Sequence, residues 1–272
     1  MTRVNALECI QGNGTFVVHD NQRQNQQMKL LVTIPVYNEE RALPVSIPAL
    51  HSFLAENLPD YDWIIEVADN ASIDNTPEVG MALAEQFSRV RYLRLEQKGR
   101  GRALKKSWME SDADICSYMD VDLSTNLESF PPMVDALAHK GYDIGTGSRL
   151  MRGANTERSF KREIISRSYN FMVKLFFFTK FSDAQCGFKA VTRQVIDALI
   201  PEIDDNVWFF DSELLIIGEK CGYRIFDVPV KWIEDLDTRV KIVRTALDDI
   251  NGLLRVRKNL WQGRYRTLKK SP

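Results

Sequence analysis

The chain carries the apolar run Leu30-Leu31-Val32-Thr33-Ile34, closed by Pro35, directly after a polar N-terminal segment. A continuous apolar run of this length is typical of a strand that is buried on both faces of a parallel sheet. Comparable runs follow at residues 63–68, 91–95 and 114–119, and helical stretches separate them at residues 39–56, 76–88 and 102–110. This alternation predicts an α/β domain in which helices flank a mostly parallel sheet.

Polar clusters follow three of these runs, at the points where the strands are predicted to end. The first contains Tyr37 and Glu39, the second spans residues 69–76, and the third is Asp120-Val121-Asp122. Ligands of parallel sheets bind outside the carboxyl ends of the strands. Two carboxylates so close together repel each other unless a cation lies between them, and Mg²⁺ is commonly held by carboxylates together with substrate phosphates. In combination, the three clusters favour a divalent ion at Asp120 and Asp122.

Charge balance and cysteine usage exclude several classes of protein. The 272 residues contain 36 Lys and Arg against 37 Asp and Glu, which excludes a globally basic nucleic-acid binder. The four cysteines are dispersed and only three histidines occur, so we expect neither a zinc site nor a disulfide scaffold. The chain has no apolar run of about 18 residues and no signal-peptide pattern, so we expect a cytoplasmic protein.

The order of the short motifs resembles a known family. Pro-x-Tyr-Asn-Glu at 35–39, Val-x-Asp-x-x-Ser-x-Asp-x-Thr at 67–76 and Asp-x-Asp at 120–122 look like the family 2 glycosyltransferases, which have the GT-A fold. Later blocks narrow the resemblance to the dolichyl- or polyprenyl-phosphate sugar synthases, with the glucose-transferring branch nearest. These blocks are Lys98-Gly99-Arg100-Gly101, Gly147-Ser148-Arg149, residues 183–189, residues 210–215 and residues 228–232. The resemblance covers about residues 29–260.

Carried over residue by residue, the resemblance implies a role for each matching position. The nucleotide-sugar side would comprise Pro35, Tyr37, Glu39, Asp69, Lys98 and Asp120. The ion, Mg²⁺ or Mn²⁺, would be held by Asp120 and Asp122. The acceptor phosphate would be held by Arg149, Arg162, Ser166 and Lys189. Two positions depart from the family pattern, because Ser124 stands where relatives often have Gln and Asn70 stands where a second Asp is usual.

The resemblance implies metal-dependent inverting transfer from a nucleoside-diphosphate sugar, UDP-glucose in the nearest branch, to a polyprenyl or dolichyl phosphate. A hydroxyl acceptor would need a general base, for which Asp211 and Glu213 are the candidates unless they pair with Arg or Lys. A phosphate acceptor is already anionic, so positioning by Arg could suffice. The expected catalytic residues are Asp122, Arg149 and Asp211. A soluble or glycan hydroxyl as acceptor stays open, as does, more remotely, a non-catalytic nucleotide-sugar-binding protein.

Two basic segments predict contact with an anionic membrane surface on the cytosolic face. Residues 149–180 contain eight basic residues against two acidic ones and include the apolar run 171–178, which suits a helix lying in the membrane interface. Residues 239–272 contain ten basic residues against two acidic ones and begin with an amphipathic helical pattern. We therefore expect a polar mobile tail at 1–28, a catalytic domain at 29–260 and a basic tail at 261–272. The oligomeric state is left open.

Overall fold

The computed structural model describes residues 27–157, 160–233 and 242–270, so all but two residues of the predicted N-terminal tail lie outside the described part of the chain. The strands are β1 Lys29–Val36, β2 Asp62–Asn70, β3 Val90–Leu95, β4 Ile115–Met119, β5 Ile144–Ser148, β6 Asn155–Glu157, β7 Phe188–Thr192, β8 Ile225–Pro229 and β9 Lys231–Ile233. The helices are α1 Leu43–Asn57, α2 Thr76–Gln86, α3 Arg100–Glu110, α4 Phe130–His139, α5 Phe160–Phe177, α6 Arg193–Leu199, α7 Phe210–Lys220 and α8 Ile242–Trp261.

One seven-stranded sheet, in the order β3-β2-β1-β4-β7-β5-β8, organises the domain. All neighbouring strands are parallel except β7, which runs antiparallel to both β4 and β5. Strands β6 and β9 form a separate parallel pair. The predicted α/β architecture with a mostly parallel sheet is confirmed. Parallel β1, β2 and β4 are adjacent, so the three polar clusters meet at one edge of the sheet.

Each face of the sheet carries its own apolar core. Helices α1, α2 and α4 pack on one face, with Leu43, Ile47 and Phe130 buried among the strand residues. Helices α3 and α5 to α8 pack on the other face around Trp108 and Tyr118, both fully buried. Burial on both faces explains why the strands are continuous apolar runs rather than alternating patterns.

The C-terminal basic segment is part of this domain, which corrects the prediction of a separate tail from residue 261. Tyr265 is 3% exposed and belongs to the core beside α7 and α8. The backbone N–H of Lys270 donates to the carbonyl of Cys221, and its ammonium contacts both oxygens of Asp143 at 2.6 and 2.8 Å. Arg264 pairs with Asp204. These contacts neutralise charges that sequence reasoning assigned to a membrane surface.

Candidate active site at the carboxyl ends of the strands

Hydrogen bonds join the loops that follow β1 and β2. The backbone N–H of Asn38 donates to Ser72 Oγ at 2.9 Å, and the N–H of Ile73 donates to Asn38 Oδ1 at the same distance. The N–H of Glu39 donates to Thr76 Oγ1 at 2.7 Å. The two predicted clusters therefore form one unit, held by short polar side chains that favour turns.

The predicted nucleotide residues occupy different depths of this unit. Tyr37 is half-buried, and the Lys98 ammonium lies 3.2 Å from the centre of its ring, so these two side chains form one wall. Pro35 is half-buried in β1 and is paired with Ala68 of β2. Asp69 is fully buried and accepts hydrogen bonds from the Ser72 N–H, the Tyr92 hydroxyl and Arg94. Asp69 thus stabilises the end of β2 from within the fold. Its contact with the base or ribose stays a prediction.

Asn70 shows what the departure from the family pattern does locally. Its side-chain oxygen accepts a hydrogen bond from the Gly99 N–H at 3.2 Å, which links the end of β2 to the start of α3. An amide can therefore hold this loop without adding another negative charge to the cleft.

The Asp120–Asp122 pair fits a divalent cation. The Asp120 side chain keeps 42% exposure, and Asp122 is exposed. Partial loss of solvent contact, together with the charges of Asp122 and Asp211, raises the pKa of Asp120 to about 6 despite the opposing charge of Arg100. Gly187 lies against Asp120, because a Cβ there would come within 2.0 Å of Oδ2. The site thus concentrates negative charge that a cation would offset.

Water and substrate phosphates commonly complete the coordination of such a cation. Among residues 27–157, 160–233 and 242–270, no group of three or more His, Cys, Asp and Glu side chains is arranged to hold a metal. Ser124, the departure from the family Gln, contributes its backbone N–H to Asp122 Oδ1 at 3.0 Å.

Asp211, a candidate base, is fully buried at the start of α7 and is engaged on both oxygens. Oδ2 accepts a hydrogen bond from Arg100 and Oδ1 accepts one from the Tyr118 hydroxyl, while the Lys189 ammonium lies 3.3 Å from Oδ1. This arrangement matches the alternative given above, in which the carboxylate pairs with Arg or Lys. Asp211 therefore pairs with basic side chains rather than acting as a free base.

Lys189 does not face the cleft as predicted, and Arg100 has a structural role that was not predicted. Lys189 is 1% exposed and also donates to the carbonyls of Cys186 and Ala184 at 2.6 and 3.4 Å, so it supports the loop instead of facing an acceptor. Arg100, which belongs to the motif at 98–101 and had no predicted role, bridges Asp211 and Asp120, and 3.5 Å separates it from Asp120. The sequence feature that could have identified Arg100 is a basic residue at the start of the helix that follows β3.

Glu213, the second candidate base, is also buried and occupied. Its Oε2 accepts hydrogen bonds from the Asp205 N–H and from Arg255, at 2.8 and 2.9 Å. Burial raises the pKa of this carboxyl against the charge of Arg255. Arg255 is therefore bound within the domain and is not a free charge of a basic tail.

Arg149 lies at the end of β5, on the other side of the loop 183–187. Its Nε and Nη2 donate to the two oxygens of Asp183 at 2.7 and 3.0 Å, a bidentate pair that sequence reasoning did not identify. Burial alone would raise the pKa of Asp183, but the charge and hydrogen bonds of Arg149 hold it at about 2. Nε and Nη2 are thus engaged by Asp183, and the Arg149 side chain keeps 14% exposure.

The remaining predicted acceptor residues, Arg162 and Ser166, lie on α5. The hydroxyl of Ser166 is buried and has no hydrogen-bond partner among the described residues. The Arg162 side chain lies outside the described part of the structure. Asn170, one turn later, accepts a hydrogen bond from the Ala184 N–H at 2.8 Å. Helix α5 is thus tied to the loop that carries Asp183.

A buried carboxyl on α8 supports the same loop. Asp249 is 4% exposed, and its Oδ2 accepts a hydrogen bond from Gln185 at 2.8 Å. Its Oδ1 has no partner within the described chain. Burial raises the pKa of Asp249 to about 7, against the hydrogen bond from Gln185, and nearby carboxylates add to the rise.

We expect Asp249→Asn to stabilise the protein at pH 8. An acid whose folded pKa is raised from about 3.9 to about 7 destabilises the native state fully above pH 7, and this effect fades as the pH falls toward 4. The gain in the free energy of unfolding is about 2–4 kcal/mol at pH 8 and smaller at pH 5. Urea unfolding at both pH values measures it, with the exposed neighbour Asp248→Asn as control. An equal effect at both pH values would contradict the assignment.

Comparison with known proteins agrees with this geometry. The family described as Glycosyl transferase family 2 matches residues 31–200. Glycosyltransferase AglD of Haloferax volcanii is 34% identical over 229 residues, which cover 84% of this chain and 37% of AglD. The dolichyl-phosphate beta-glucosyltransferases of Dictyostelium discoideum and Homo sapiens are 28% and 29% identical, covering 92% and 76% of this chain and 78% and 68% of theirs.

Solved structures share the fold. Glucosyl-3-phosphoglycerate synthase from Mycobacterium tuberculosis in complex with UDP has a TM-score of 0.63 at 20% identity, covering 85% of this chain and 80% of that one. Its complex with Mn²⁺, UDP and glucosyl-3-phosphoglycerate gives the same TM-score at 19% identity, covering 84% of this chain and 80% of that one. The family match spans more than half of the chain and contains the Asp120–Asp122 pair. The chain therefore belongs to glycosyl transferase family 2, as a glycosyltransferase with the GT-A fold.

Proposed function

We propose that the protein transfers glucose, with inversion, from UDP-glucose to a polyprenyl or dolichyl phosphate, with Mg²⁺ or Mn²⁺ bound by Asp120 and Asp122. One observation carries the proposal: a carboxylate pair and a partly exposed arginine flank the same loop, residues 183–187. Gly187 touches Asp120 on one side, and Asp183 holds Arg149 on the other. A cation-bound diphosphate and an acceptor phosphate would thus meet across one short loop.

The donor assignment is supported by relatives. Glucosyl-3-phosphoglycerate synthase was solved with Mn²⁺ and UDP, and also with UDP-glucose. Several relatives are named dolichyl-phosphate beta-glucosyltransferases. A bound divalent ion supplies Lewis-acid stabilisation of the leaving diphosphate. Tyr37 and Lys98 form the wall on which the nucleotide would rest. Tyr37 follows β1, the strand adjacent to β4, which precedes the Asp120–Asp122 pair.

The acceptor assignment is supported by the state of the two candidate bases. Asp211 and Glu213 are both engaged by basic side chains, so neither offers a carboxylate ready to take a hydroxyl proton. A phosphate monoester needs no such base, because it is already anionic and has only to be aligned. Arg149 would hold it, while the buried hydroxyl of Ser166 is the second donor expected at this site.

The test of this proposal is transfer of labelled sugar into the organic phase. We expect the protein with Mg²⁺ or Mn²⁺ to move radiolabel from UDP-glucose to polyprenyl phosphate, with weaker use of other UDP- and GDP-sugars. The product is extracted into organic solvent and counted. A labelled glycoside that stays in the aqueous phase would favour a soluble hydroxyl acceptor and would contradict the lipid assignment.

A membrane-bound acceptor requires a surface that docks on lipid, and α5 and α8 provide a candidate. Exposed apolar side chains lie on α5, directly after it and on α8. We call them the α5–α8 apolar surface, and they are Phe171, Leu175, Phe178, Leu247, Leu254 and Trp261, with exposures between 52% and 85%. The Arg257 guanidinium donates to the Phe176 carbonyl at 3.0 Å, which joins the two helices. No helix of the described ranges is long and apolar enough to cross a bilayer. Lys174 and Lys258 are exposed on the same helices and suit anionic headgroups.

We expect the double variant Phe171→Ser, Leu175→Ser to lose binding to anionic vesicles. Burial of two large apolar side chains contributes several kcal/mol at most, so sedimentation with phosphatidylserine vesicles should weaken at least about tenfold. The control is Val45→Ser, which removes an equally exposed side chain on α1, on the opposite face of the sheet. Phe177 is unsuitable because it is fully buried in the core. Unchanged sedimentation of a folded double variant would exclude this surface.

A further inference from the structure

Trp208 lies on a segment that is fixed to the start of α3. The N–H of Gly101 donates to the carbonyl of Val207 at 3.2 Å, and the N–H of Arg102 donates to that of Asn206 at 3.0 Å. Asp205 Oδ1 accepts hydrogen bonds from the backbone of Val207 and Phe210, which close the segment on the start of α7. The position of Trp208 is therefore set by backbone contacts on both sides.

The ring of Trp208 continues the surface of the Asp120–Asp122 pair. The guanidinium carbon of Arg100 lies 4.4 Å from the ring centre, and the same side chain reaches Asp120 and Asp211. The Arg100 side chain is only 12% exposed, whereas Trp208 keeps 42% exposure and the Asp120 side chain also keeps 42%. One buried arginine thus separates an open carboxylate from an open aromatic ring. None of the roles derived above uses this ring.

We infer that Trp208 is a specificity-determining residue on which the hexose ring of the donor packs. The inference rests on the proposed function, in which the diphosphate binds at Asp120 and Asp122. A pyranose presents an apolar face of C–H groups, and a rigid aromatic ring beside polar anchors is the usual way a pocket contacts such a face. The hexose is bonded directly to the terminal phosphate of the donor, so it must lie next to the carboxylate pair.

The acceptor is expected beside a different aromatic residue. Arg149, the expected acceptor contact, lies 5.7 Å from the ring centre of Trp232 and is held by Asp183, at the other end of the loop 183–187 from Gly187. Trp208 reaches Asp120 through the single side chain of Arg100. The nucleobase would rest on Tyr37 and Lys98, which follow β1 and β3. The hexose is therefore the part of the substrates that Trp208 is placed to contact.

The experiment compares the affinities of UDP-glucose and UDP by isothermal titration with Mn²⁺ and no acceptor. We expect Trp208→Ala to weaken the affinity for UDP-glucose about tenfold, which is about 1.4 kcal/mol. The affinity for UDP should change less than about twofold. Trp208→Phe should retain most of the UDP-glucose affinity, because it keeps an aromatic face. Met109→Ala is the control, since it removes a 52%-exposed side chain about 13 Å further along α3.

The outcomes separate the inference from the proposed function. Equal weakening of the affinities for UDP and UDP-glucose would show that Trp208 acts through Arg100 on the diphosphate. Unchanged affinities would show that the ring is not used. Either result overturns the inference and leaves the proposed donor unaffected. A wild-type protein that binds neither ligand would refute the proposed donor, and the inference with it. Thermal melts of each variant confirm that the fold is retained.

Discussion

Asp120→Asn and Asp122→Asn are each expected to reduce sugar transfer by about 10²–10³-fold, because removal of one preorganised charge at a developing anion has that scale of effect. EDTA should reduce the wild-type rate similarly, and added Mg²⁺ or Mn²⁺ should restore it. Initial rates with UDP-glucose and polyprenyl phosphate measure the loss. Binding of UDP in the presence and absence of Mn²⁺ provides a readout that does not depend on the acceptor.

The matched control for these variants is Asp112→Ala. Asp112 follows α3 at the opposite edge of the sheet, is 81% exposed and pairs with Lys29. A solvent-exposed ion pair contributes about 0–1 kcal/mol, so transfer should be unchanged. Full activity of the Asp120 or Asp122 variant in EDTA would contradict the metal assignment, whereas loss of activity in the Asp112 variant would point to general instability.

Asp183→Ala is expected to destabilise the protein by about 3–5 kcal/mol, because it leaves Arg149 without its counter-ion in a largely buried place. For a domain of this size the midpoint of thermal unfolding should fall by roughly 10 °C. Arg149→Ala should have a similar effect for the reciprocal reason, since Asp183 is fully buried. Replacing both residues, with Asp183→Asn and Arg149→Met, should recover much of the stability and none of the acceptor use.

The pH dependence gives a second readout for this pair. The folded pKa of Asp183 lies near 2, below its ordinary value of about 3.9, so the stabilisation is fully present above pH 4 and is lost as the pH falls toward 2. The Asp183→Ala variant should lack this component of acid unfolding. The control is Asp62→Ala, which removes an exposed partner of Arg89 at 3.4 Å and should change stability by less than about 1 kcal/mol. An Asp183→Ala variant as stable as wild type would contradict the prediction.

The separate prediction for the lipid surface also follows from structure rather than from sequence. The run 171–178 is apolar around most of the helix, so helical period alone does not indicate which side faces outward. In the folded chain Phe177 is buried and Phe178 is 75% exposed. The packing of α5 against the sheet and α8 therefore decides which residues are free to contact lipid.

The sequence by itself determined the fold and the place of the site, because both depend on local pattern. Buried parallel strands need continuous apolar runs, and polar clusters directly after β1, β2 and β4 must meet at one edge of such a sheet. The motif order was sufficient to place Tyr37, Asp120, Asp122 and Arg149 at this edge.

Only the tertiary structure decided which charges are free and which are paired. Asp211 meets Arg100 from 111 residues away, and Lys270 meets Asp143 from 127 residues away. A charged residue carries the same signal in the sequence whether it faces solvent or a counter-ion, so a candidate base and part of a basic tail were both read as available. In the fold, burial makes an unpaired charge costly, and each of these groups is therefore matched by a partner that only the packing of distant elements brings within reach.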